Sequence, residues 1–367
     1  MFQSPDKFLG NLITRLIRKN SLTREESRQA FSHILNNEVT DMHQGAFLAA
    51  LTAKGETSEE VVGAWESIYN LDTAKVAVEP SLTLAENSGT GMDTFKTFNI
   101  STAASIVAAA GGIPMARHGS RALTSVCGTV DMAEALGVDV ECTADVVARS
   151  IESSNLGLFN GMSPHIHPRA LGRILSRISF GSTLNIAASL ANPALPSIGV
   201  RGVYAKDMIQ PVAAVMKDIG YTRALVVHGT VEHSDKGMDE ASVCGVTHCA
   251  GFFDDNEIST FTIDPFRLGL SAGDPYELAP ESDIEMESRR FAALLARADD
   301  GVRKDAVILN AGLIFLAAGK TGTLEQGIET ACQLLEGGAA FKALESWVSS
   351  QNRFPEKGLQ SLHRLVS

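Results

Sequence analysis

Cysteine is scarce in this 367-residue sequence, and it forms no pairing or metal-binding pattern. The five cysteines are odd in number and include no CxxC pair, which argues against a disulfide framework in a chain of this size. The histidines and cysteines between positions 228 and 249 have spacings that match no common zinc pattern. We therefore interpret the cysteines as reduced thiols and this group as ordinary packing residues.

Positive charge is in deficit, because 31 Lys and Arg residues face 43 Asp and Glu residues and give a net charge of −12. This balance argues against a surface for nucleic acid or anionic membranes, so an anionic substrate must be held locally. Long apolar runs are absent too: the stretch 310–319 is about half the roughly twenty residues that a membrane helix needs. The N-terminus shows no secretory pattern, and we expect a cytoplasmic protein.

Helix-capping signals mark the chain up to about residue 72. Two Thr-x-x-Glu capping boxes begin at Thr23 and Thr57, and apolar residues recur there at helical spacing. From about Thr73 short apolar runs alternate with helical segments, and the first runs predict strands at 75–78 and 82–85. The alternation is typical of an α/β sheet.

We predict an α/β protein in two parts. Residues 1–72 form a small helical domain, joined by helices near 165–180, and residues 73–367 form a larger α/β domain with a mostly parallel central sheet. In such sheets ligands bind beyond the carboxyl ends of the strands, where polar loops are expected to gather.

Three polar loops interrupt the Ala- and Val-rich segment that opens the α/β part. They are GTGMD at Gly89–Asp93, TFNIST at Thr97–Thr102 and RHGSR at Arg117–Arg121. Glycines let the backbone approach a ligand closely, and an Asn-x-Ser-Thr turn that opens a helix offers free N–H groups and hydroxyls to phosphate oxygens. The pattern predicts a phosphate-handling enzyme.

A carboxylate pair follows a later predicted strand. Asp239 and Glu240 lie beyond the strand at 223–227, after an acidic loop. Mg²⁺ takes one or two carboxylates, keeps several waters and uses phosphate oxygens for its remaining ligands. Taken alone, such a pair is more often the start of a solvated turn, but together with the polar loops it favours a magnesium site.

These motifs together resemble the anthranilate phosphoribosyltransferase family, which carries GTGGD, TFNIST, KHGNR and an Asp-Glu pair in this order. The match spans nearly the whole chain, and TFNIST at 97–102 is unchanged. The segments 163–168 and 192–194 also resemble the stretches on either side of the family's acceptor-binding helix.

The resemblance implies a nucleoside phosphorylase/phosphoribosyltransferase type of fold, a homodimer, and transfer of a phosphoribosyl group from PRPP to anthranilate in tryptophan biosynthesis. Pyrophosphate leaves, Mg²⁺ assists, and no covalent nucleophile is expected. The implied PRPP-binding residues are Gly89, Asp93, Thr97, Asn99, Ser101, Thr102, Arg117, His118, Gly119 and Ser125. The implied acceptor-binding residues are Gly89, Ser120 and Arg177. The implied metal-binding residues are Ser101, Asp239 and Glu240.

The sequence departs from the family pattern at four places. Met92 replaces the second glycine of GTGGD, Arg117 replaces a lysine, and Ser120 replaces an asparagine on the acceptor side. The segment from Arg177 to Asn185 is also shorter than the family pattern. Met92 puts a Cβ and a bulky side chain where backbone and phosphate meet closely, and a serine hydroxyl reaches less far than an amide.

These departures leave alternative functions open. A paralogue of the same fold could use another aromatic or heterocyclic acceptor. A nucleoside phosphorylase fits the motifs less well. A non-catalytic relative that binds ligands or nucleic acid would predict a basic groove, which the negative net charge opposes.

Overall fold

The computed structural model describes residues 4–122, 127–178, 180–254, 257–270, 273–297 and 300–367. Its N-terminal part is helical. The helices are α1 (Pro5–Ile17), α2 (Arg24–Leu35), α3 (Asp41–Lys54) and α4 (Ser58–Asp72). Both predicted capping boxes are present. The Thr23 and Thr57 hydroxyls accept from the backbone N–H groups of Glu26 and Glu60, and the carboxylates of Glu26 and Glu60 accept from the backbone N–H groups of Thr23 and Thr57.

A mostly parallel sheet forms the centre of the larger part. Its strands are β1 (Ala85–Gly89), β2 (Met115–Gly119), β3 (Leu156–Asn160), β4 (Ile198–Gly202), β5 (Arg223–Thr230), β6 (Gly237–Met238), β7 (Thr247–Phe252) and β8 (Ser259–Ile263). The order is β3-β2-β1-β4-β5-β7-β8, with β6 also paired to β5. The strands from β3 to β5 are parallel, whereas β6, β7 and β8 are antiparallel to their neighbours. The predicted fold class is confirmed.

Helices cover both faces of the sheet. The remaining helices are α5 (Ile100–Ala110), α6 (Thr129–Ala135), α7 (Ala144–Ser154), α8 (Leu171–Leu175), α9 (Leu184–Ala187), α10 (Ile209–Asp218), α11 (Ile284–Arg297), α12 (Val302–Ala317), α13 (Leu324–Glu336), α14 (Ala339–Ser350) and α15 (Pro355–Val366). One face packs on α5 and α12 in a large apolar core. The other face packs on α9 and α10, whose core continues into α1–α4 and joins the helical domain to the sheet.

The predicted strand at 75–78 is wrong, and the strand predicted at 82–85 begins only at Ala85. The backbone N–H groups of Ala74 and Val76 instead donate singly to the loop carbonyls of Ile166 and Pro193. Isolated bonds to loops build no ladder, although the segment has an apolar sequence. Among the described residues, no helix combines the length and the apolarity that crossing a bilayer requires.

The helix predicted near 165–180 is short. It begins at Leu171 because the buried Asp72 carboxylate, at the end of α4, accepts from the backbone N–H groups of Arg169, Ala170 and Leu171 at 2.5, 2.9 and 2.6 Å. An acidic side chain at a helix N-terminus satisfies donors that have no intrahelical partner. The chain segment that leaves the helical domain therefore also fixes the start of α8.

Candidate active site

The Gly-Thr-Gly loop and the Asp-Glu pair pack directly against each other. The N–H of Gly91 donates to Oδ2 of Asp239 at 2.7 Å, across 148 positions of sequence. A Cβ on Gly89 would lie 2.0 Å from the same oxygen, and one on Gly202 would lie 1.4 Å from the Asp239 carbonyl oxygen. Strands β1 and β4 thus end in glycines because the Asp239 segment occupies the space of a side chain.

Three carboxylates are gathered beside this contact with few cations to balance them. Asp93, Asp239 and Glu240 are all at least nine-tenths buried, and Nζ of Lys96 lies 2.7 Å from Oδ1 of Asp93. Burial, and then the neighbouring Asp239, raises the pKa of Asp93 to about 6. Burial, followed by Asp239 and Asp93, raises the pKa of Glu240 well above its ordinary value. Such a cluster gains stability when a cation enters it.

The carboxylates do not form a complete metal cage. Within the described ranges, no group of three or more His, Cys, Asp or Glu side chains is arranged to hold a metal ion. An oxygen-liganded cation bound here would therefore need further oxygens from water or from a phosphate substrate, which is how Mg²⁺ is commonly held. Thr97 supports the cluster, since its hydroxyl donates to Oε2 of Glu240 at 3.4 Å.

The N-terminus of α5 lies between these loops and carries the Asn-x-Ser-Thr turn. Asn99 precedes the helix, but its side chain does not cap it and instead approaches the Cys127 carbonyl at 3.5 Å. No side chain of the described residues caps this helix. The N–H groups of Ile100, Thr102 and Ala103 donate to the backbone carbonyls of Phe98 and Asn99, so it is the positive end of the helix dipole and the hydroxyls of the turn that suit a phosphate here.

Arg117 fixes the two hydroxyls of that turn. Its guanidinium is buried and donates to Oγ of Ser101 at 3.2 Å, to Oγ1 of Thr102 at 2.6 Å and to the Asn87 carbonyl at 3.1 Å. Burial lowers the pKa of Arg117 to about 10, against the opposing effect of Glu86 and Glu240, so it stays charged at neutral pH. This arginine holds protein groups in position, and its planar fork is what lets it reach several of them at once.

His118 forms a buried pair with His167. Their Nε2 atoms are 3.1 Å apart, while Nδ1 of His167 lies 2.6 Å from the Asp72 carbonyl and Nδ1 of His118 lies 3.2 Å from the Ser189 carbonyl. A carbonyl oxygen only accepts, so each of these two carbonyl contacts calls for a proton on Nδ1 of its histidine. Burial, and then His167, lowers the pKa of His118 to about 3, which keeps the imidazole neutral.

Of the other predicted site residues, those that the structure describes lie on β2, just beyond it, or in the segment after α8. Gly119 ends β2, and its carbonyl accepts from the N–H of Gly161 at 2.7 Å. Ser120 is exposed just beyond it. Arg177 is exposed as well, and its guanidinium lies 2.6 Å from the Asp41 carboxylate of α3. Ser125 lies outside the described residues.

Comparison with known proteins shows where this arrangement belongs. The chain matches the α/β domain of a glycosyl transferase family over residues 82–341 and the helical bundle domain of that family over residues 11–71. It is 35% identical over 336 residues to the anthranilate phosphoribosyltransferase of Methanothermobacter marburgensis, which covers 90% of this chain and 95% of that protein. The chain belongs to the anthranilate phosphoribosyltransferase family.

Solved structures agree with this assignment. The anthranilate phosphoribosyltransferase of Thermus thermophilus superposes with a TM-score of 0.82 at 29% identity, over 92% of this chain and 98% of that one. The enzyme from Saccharomyces cerevisiae, solved in complex with PRPP and Mg, shares the fold with a TM-score of 0.79 at 21% identity, over 93% and 97% of the two chains.

Within this phosphoribosyltransferase family pattern, Met92 is the departure with the clearest structural effect. Its backbone is left-handed, with φ at +68°, directly after Gly91 at +67°. The position therefore has the conformation that favours glycine, although it carries a methionine. The Met92 thioether leaves the loop and lies against Gly181, in the shortened segment after Arg177.

Two groups beside this candidate site were missed from the sequence. Buried Asn310 of α12 donates to the Ala241 carbonyl at 2.9 Å and accepts from the Ala241 N–H at 3.0 Å, which holds the chain just after Glu240. In the sequence, Asn310 could have been noticed as a single amide side chain within an otherwise apolar helical segment. Arg201 and Glu86 form a wholly buried ion pair at 2.7 Å on β4 and β1, and no sequence spacing links them.

Proposed function

We propose that this protein transfers the phosphoribosyl group of PRPP to anthranilate, releases pyrophosphate, and serves tryptophan biosynthesis. One observation carries the proposal: a helix N-terminus whose hydroxyls are held by a buried arginine lies beside a cluster of buried carboxylates that has few cations to balance it. The first feature suits phosphate, and the second suits a divalent cation bound to phosphate. The kinship with anthranilate phosphoribosyltransferases supports this choice of reaction.

The reaction forms a bond between the anthranilate nitrogen and C1 of the ribose and breaks the bond from C1 to the pyrophosphate oxygen, while the amine loses a proton. Positive charge develops on the sugar and negative charge on the leaving group. Catalysis therefore depends on positioning and electrostatic stabilisation, and it requires no covalent nucleophile.

PRPP would lie along the loops that the site brings together. The N-terminus of α5, with Ser101 and Thr102, would receive phosphate oxygens, and Asp93 would sit beside them with Lys96. We propose the same binding role for the other PRPP-site residues carried over from the family. They are Gly89, Thr97, Asn99, Arg117, His118, Gly119 and Ser125.

The metal is proposed as Mg²⁺. We propose that Asp239, Glu240 and Ser101 hold it, because carboxylate and hydroxyl oxygens suit a hard cation that completes its shell with substrate oxygens. When bound, the ion would neutralise charge that develops on pyrophosphate. Asp239 also accepts the hydrogen bond from the Gly91 N–H, so the proposed metal site is in direct contact with the Gly89–Asp93 loop.

For the acceptor side we propose Gly89, Ser120 and Arg177.

A direct assay tests the function. Anthranilate fluorescence should disappear when the purified protein is given PRPP and Mg²⁺, and it should persist when either is omitted. Asp239→Asn keeps an oxygen for the Gly91 N–H but loses charge, so we expect it to need about tenfold more Mg²⁺ at half-maximal rate. PRPP binding without anthranilate turnover would indicate another acceptor, and no PRPP binding would contradict the proposal.

We also propose that the protein is a cytoplasmic homodimer. Five free cysteines suit a reducing compartment. The homodimer is carried over from the family resemblance, and Met42 on α3, which is 82% exposed, is an apolar side chain that a subunit interface would cover. Light scattering should give twice the 39.0 kDa chain mass, and Met42→Lys should shift the protein toward monomer.

A further inference from the structure

The starting observation is the strained backbone of Met92, in the loop whose proposed role is to bind PRPP. A side chain in the left-handed region is disfavoured, and here the preceding Gly91 is left-handed as well. Strain of this kind persists where the surrounding structure imposes it, and it concentrates at functional sites. Met92 is also 42% exposed, so burial in a core does not account for the methionine.

The Met92 side chain occupies the space that a side chain at position 181 would need. A Cβ on Gly181 would lie 2.0 Å from Cε and 2.3 Å from Sδ of Met92. Gly181 does not have a left-handed backbone, so its conformation does not call for glycine. The glycine is needed here because the thioether occupies the position of its side chain.

This contact joins the two sides of the proposed site, which are the Gly89–Asp93 loop and the segment 177–185. Met92 lies between Gly91, which binds Asp239, and Asp93 of the carboxylate cluster. Gly181 lies two residues before Thr183, whose hydroxyl donates to Glu56 of the helical domain at 2.8 Å. Met92 therefore reaches from the loop of the sheet to the segment that anchors on the helical domain.

We propose that Met92 is a specificity-determining residue that forms an apolar wall of the acceptor subsite and restricts the acceptor to a flat, single-ring aromatic amine. The inference rests on the proposed function. Its physical basis is that a thioether packs favourably on an aromatic ring and occupies the volume that a larger or substituted acceptor would need. Gly181 is the complementary residue that makes room for the thioether.

The test compares Met92→Gly with Met92→Leu as the size-matched control. We expect Met92→Gly to raise the KM for anthranilate about tenfold and to accept ring-substituted anthranilates that the wild type excludes, because one lost apolar contact changes discrimination by that order. The KM for PRPP is measured beside it, because Met92 stands in the loop whose proposed role is to bind PRPP, and a change in this KM alone would place the side chain against PRPP instead of the acceptor. Met92→Leu keeps much of the apolar volume but loses the thioether, so it should raise the KM for anthranilate less than Met92→Gly does and should still exclude the ring-substituted acceptors.

A double-mutant cycle with Gly181→Ala tests the complementarity. Alone, Gly181→Ala should displace the thioether and raise the KM for anthranilate, whereas in the Met92→Gly background it should have little further effect. Additive effects of the two substitutions would contradict the proposed contact. A change confined to the KM for PRPP, or no change in acceptor range, would overturn the proposal.

Failure of the inference can be distinguished from failure of the proposed function. If the wild type does not consume anthranilate, the function fails, and calorimetric titration of anthranilate in the presence of pyrophosphate and Mg²⁺ then tests the wall directly. Weaker binding to Met92→Gly than to wild type would support the wall. Equal affinity, or no measurable binding to either protein, would overturn it.

Discussion

The two sides of the proposed site are built in different ways. The carboxylate side consists of residues 89–102 with Asp239 and Glu240, and its acidic groups are at least nine-tenths buried and fixed by backbone contacts. The acceptor side consists of residues 177–185, where the side chain of Arg177 is 61% exposed and Phe180 is 44% exposed. The proposed phosphate side is therefore built from buried, hydrogen-bonded groups, whereas the proposed acceptor side is built from exposed side chains.

The largest expected effect is on the carboxylate side. Gly89→Ala would place a methyl group 2.0 Å from Oδ2 of Asp239, so the carboxylate must move. We expect a loss of about 100-fold in kcat/KM, because a displacement of about 1 Å in a catalytic site costs that much. Steady-state assays check this.

Gly45→Ala is the matched control, because a Cβ there meets no atom within 4 Å in the middle of α3. It should leave activity unchanged. Wild-type activity in Gly89→Ala would show that the contact between Gly89 and Asp239 does not matter for function.

A smaller effect is expected for Arg117→Lys. Lysine keeps the charge, but a single ammonium group cannot serve Ser101, Thr102 and the Asn87 carbonyl in the geometry of the fork. Buried groups left without partners should lower the free energy of unfolding by about 1–3 kcal/mol and raise the KM for PRPP. Urea denaturation and PRPP kinetics measure the two effects. An unchanged KM would show that the hydroxyls need no arginine.

The carboxylate side should also set the acid limb of the pH profile. Asp93 has a raised pKa of about 6, so it is protonated below that pH and then neither attracts a cation nor holds Lys96 as an ion pair. We expect kcat/KM for PRPP to fall as the pH drops through about 6. His118, with a pKa of about 3, does not titrate in this range.

Asp239→Asn tests the origin of that limb. Asp239 is the charged neighbour that raises the pKa of Asp93, after burial itself. Removing its charge should move the limb to lower pH, whereas a limb that stays in place would assign it to another group.

The smallest effect is expected on the acceptor side. Arg177→Ala should change the free energy of unfolding by less than about 1 kcal/mol, because its pair with Asp41 is exposed. If the guanidinium also binds the acceptor carboxylate, the KM for anthranilate should rise about tenfold, as for one lost charge-assisted hydrogen bond. Asp41→Ala is the control and should leave that KM unchanged. Equal KM values in both variants would remove Arg177 from the acceptor site.

The sequence predicted the fold class and the loops of the site because both depend on local signals. Capping boxes, glycine turns and the Asn-x-Ser-Thr motif encode their own backbone geometry, and strand order brings the loops to one edge of the sheet. The strand predicted at 75–78 failed because strand formation needs a neighbouring strand, which the local sequence does not specify.

Inside the site, the sequence by itself determined which chemical groups are present, because the motifs contain the residues that carry the hydroxyls, carboxylates and cations. Only the tertiary structure decided what each group contacts. It turned Arg117 inward onto Ser101 and Thr102, paired Arg177 with Asp41, and laid the side chain of Met92 on Gly181. These contacts join residues far apart in the chain, and their partners depend on how elements pack rather than on any spacing within one segment.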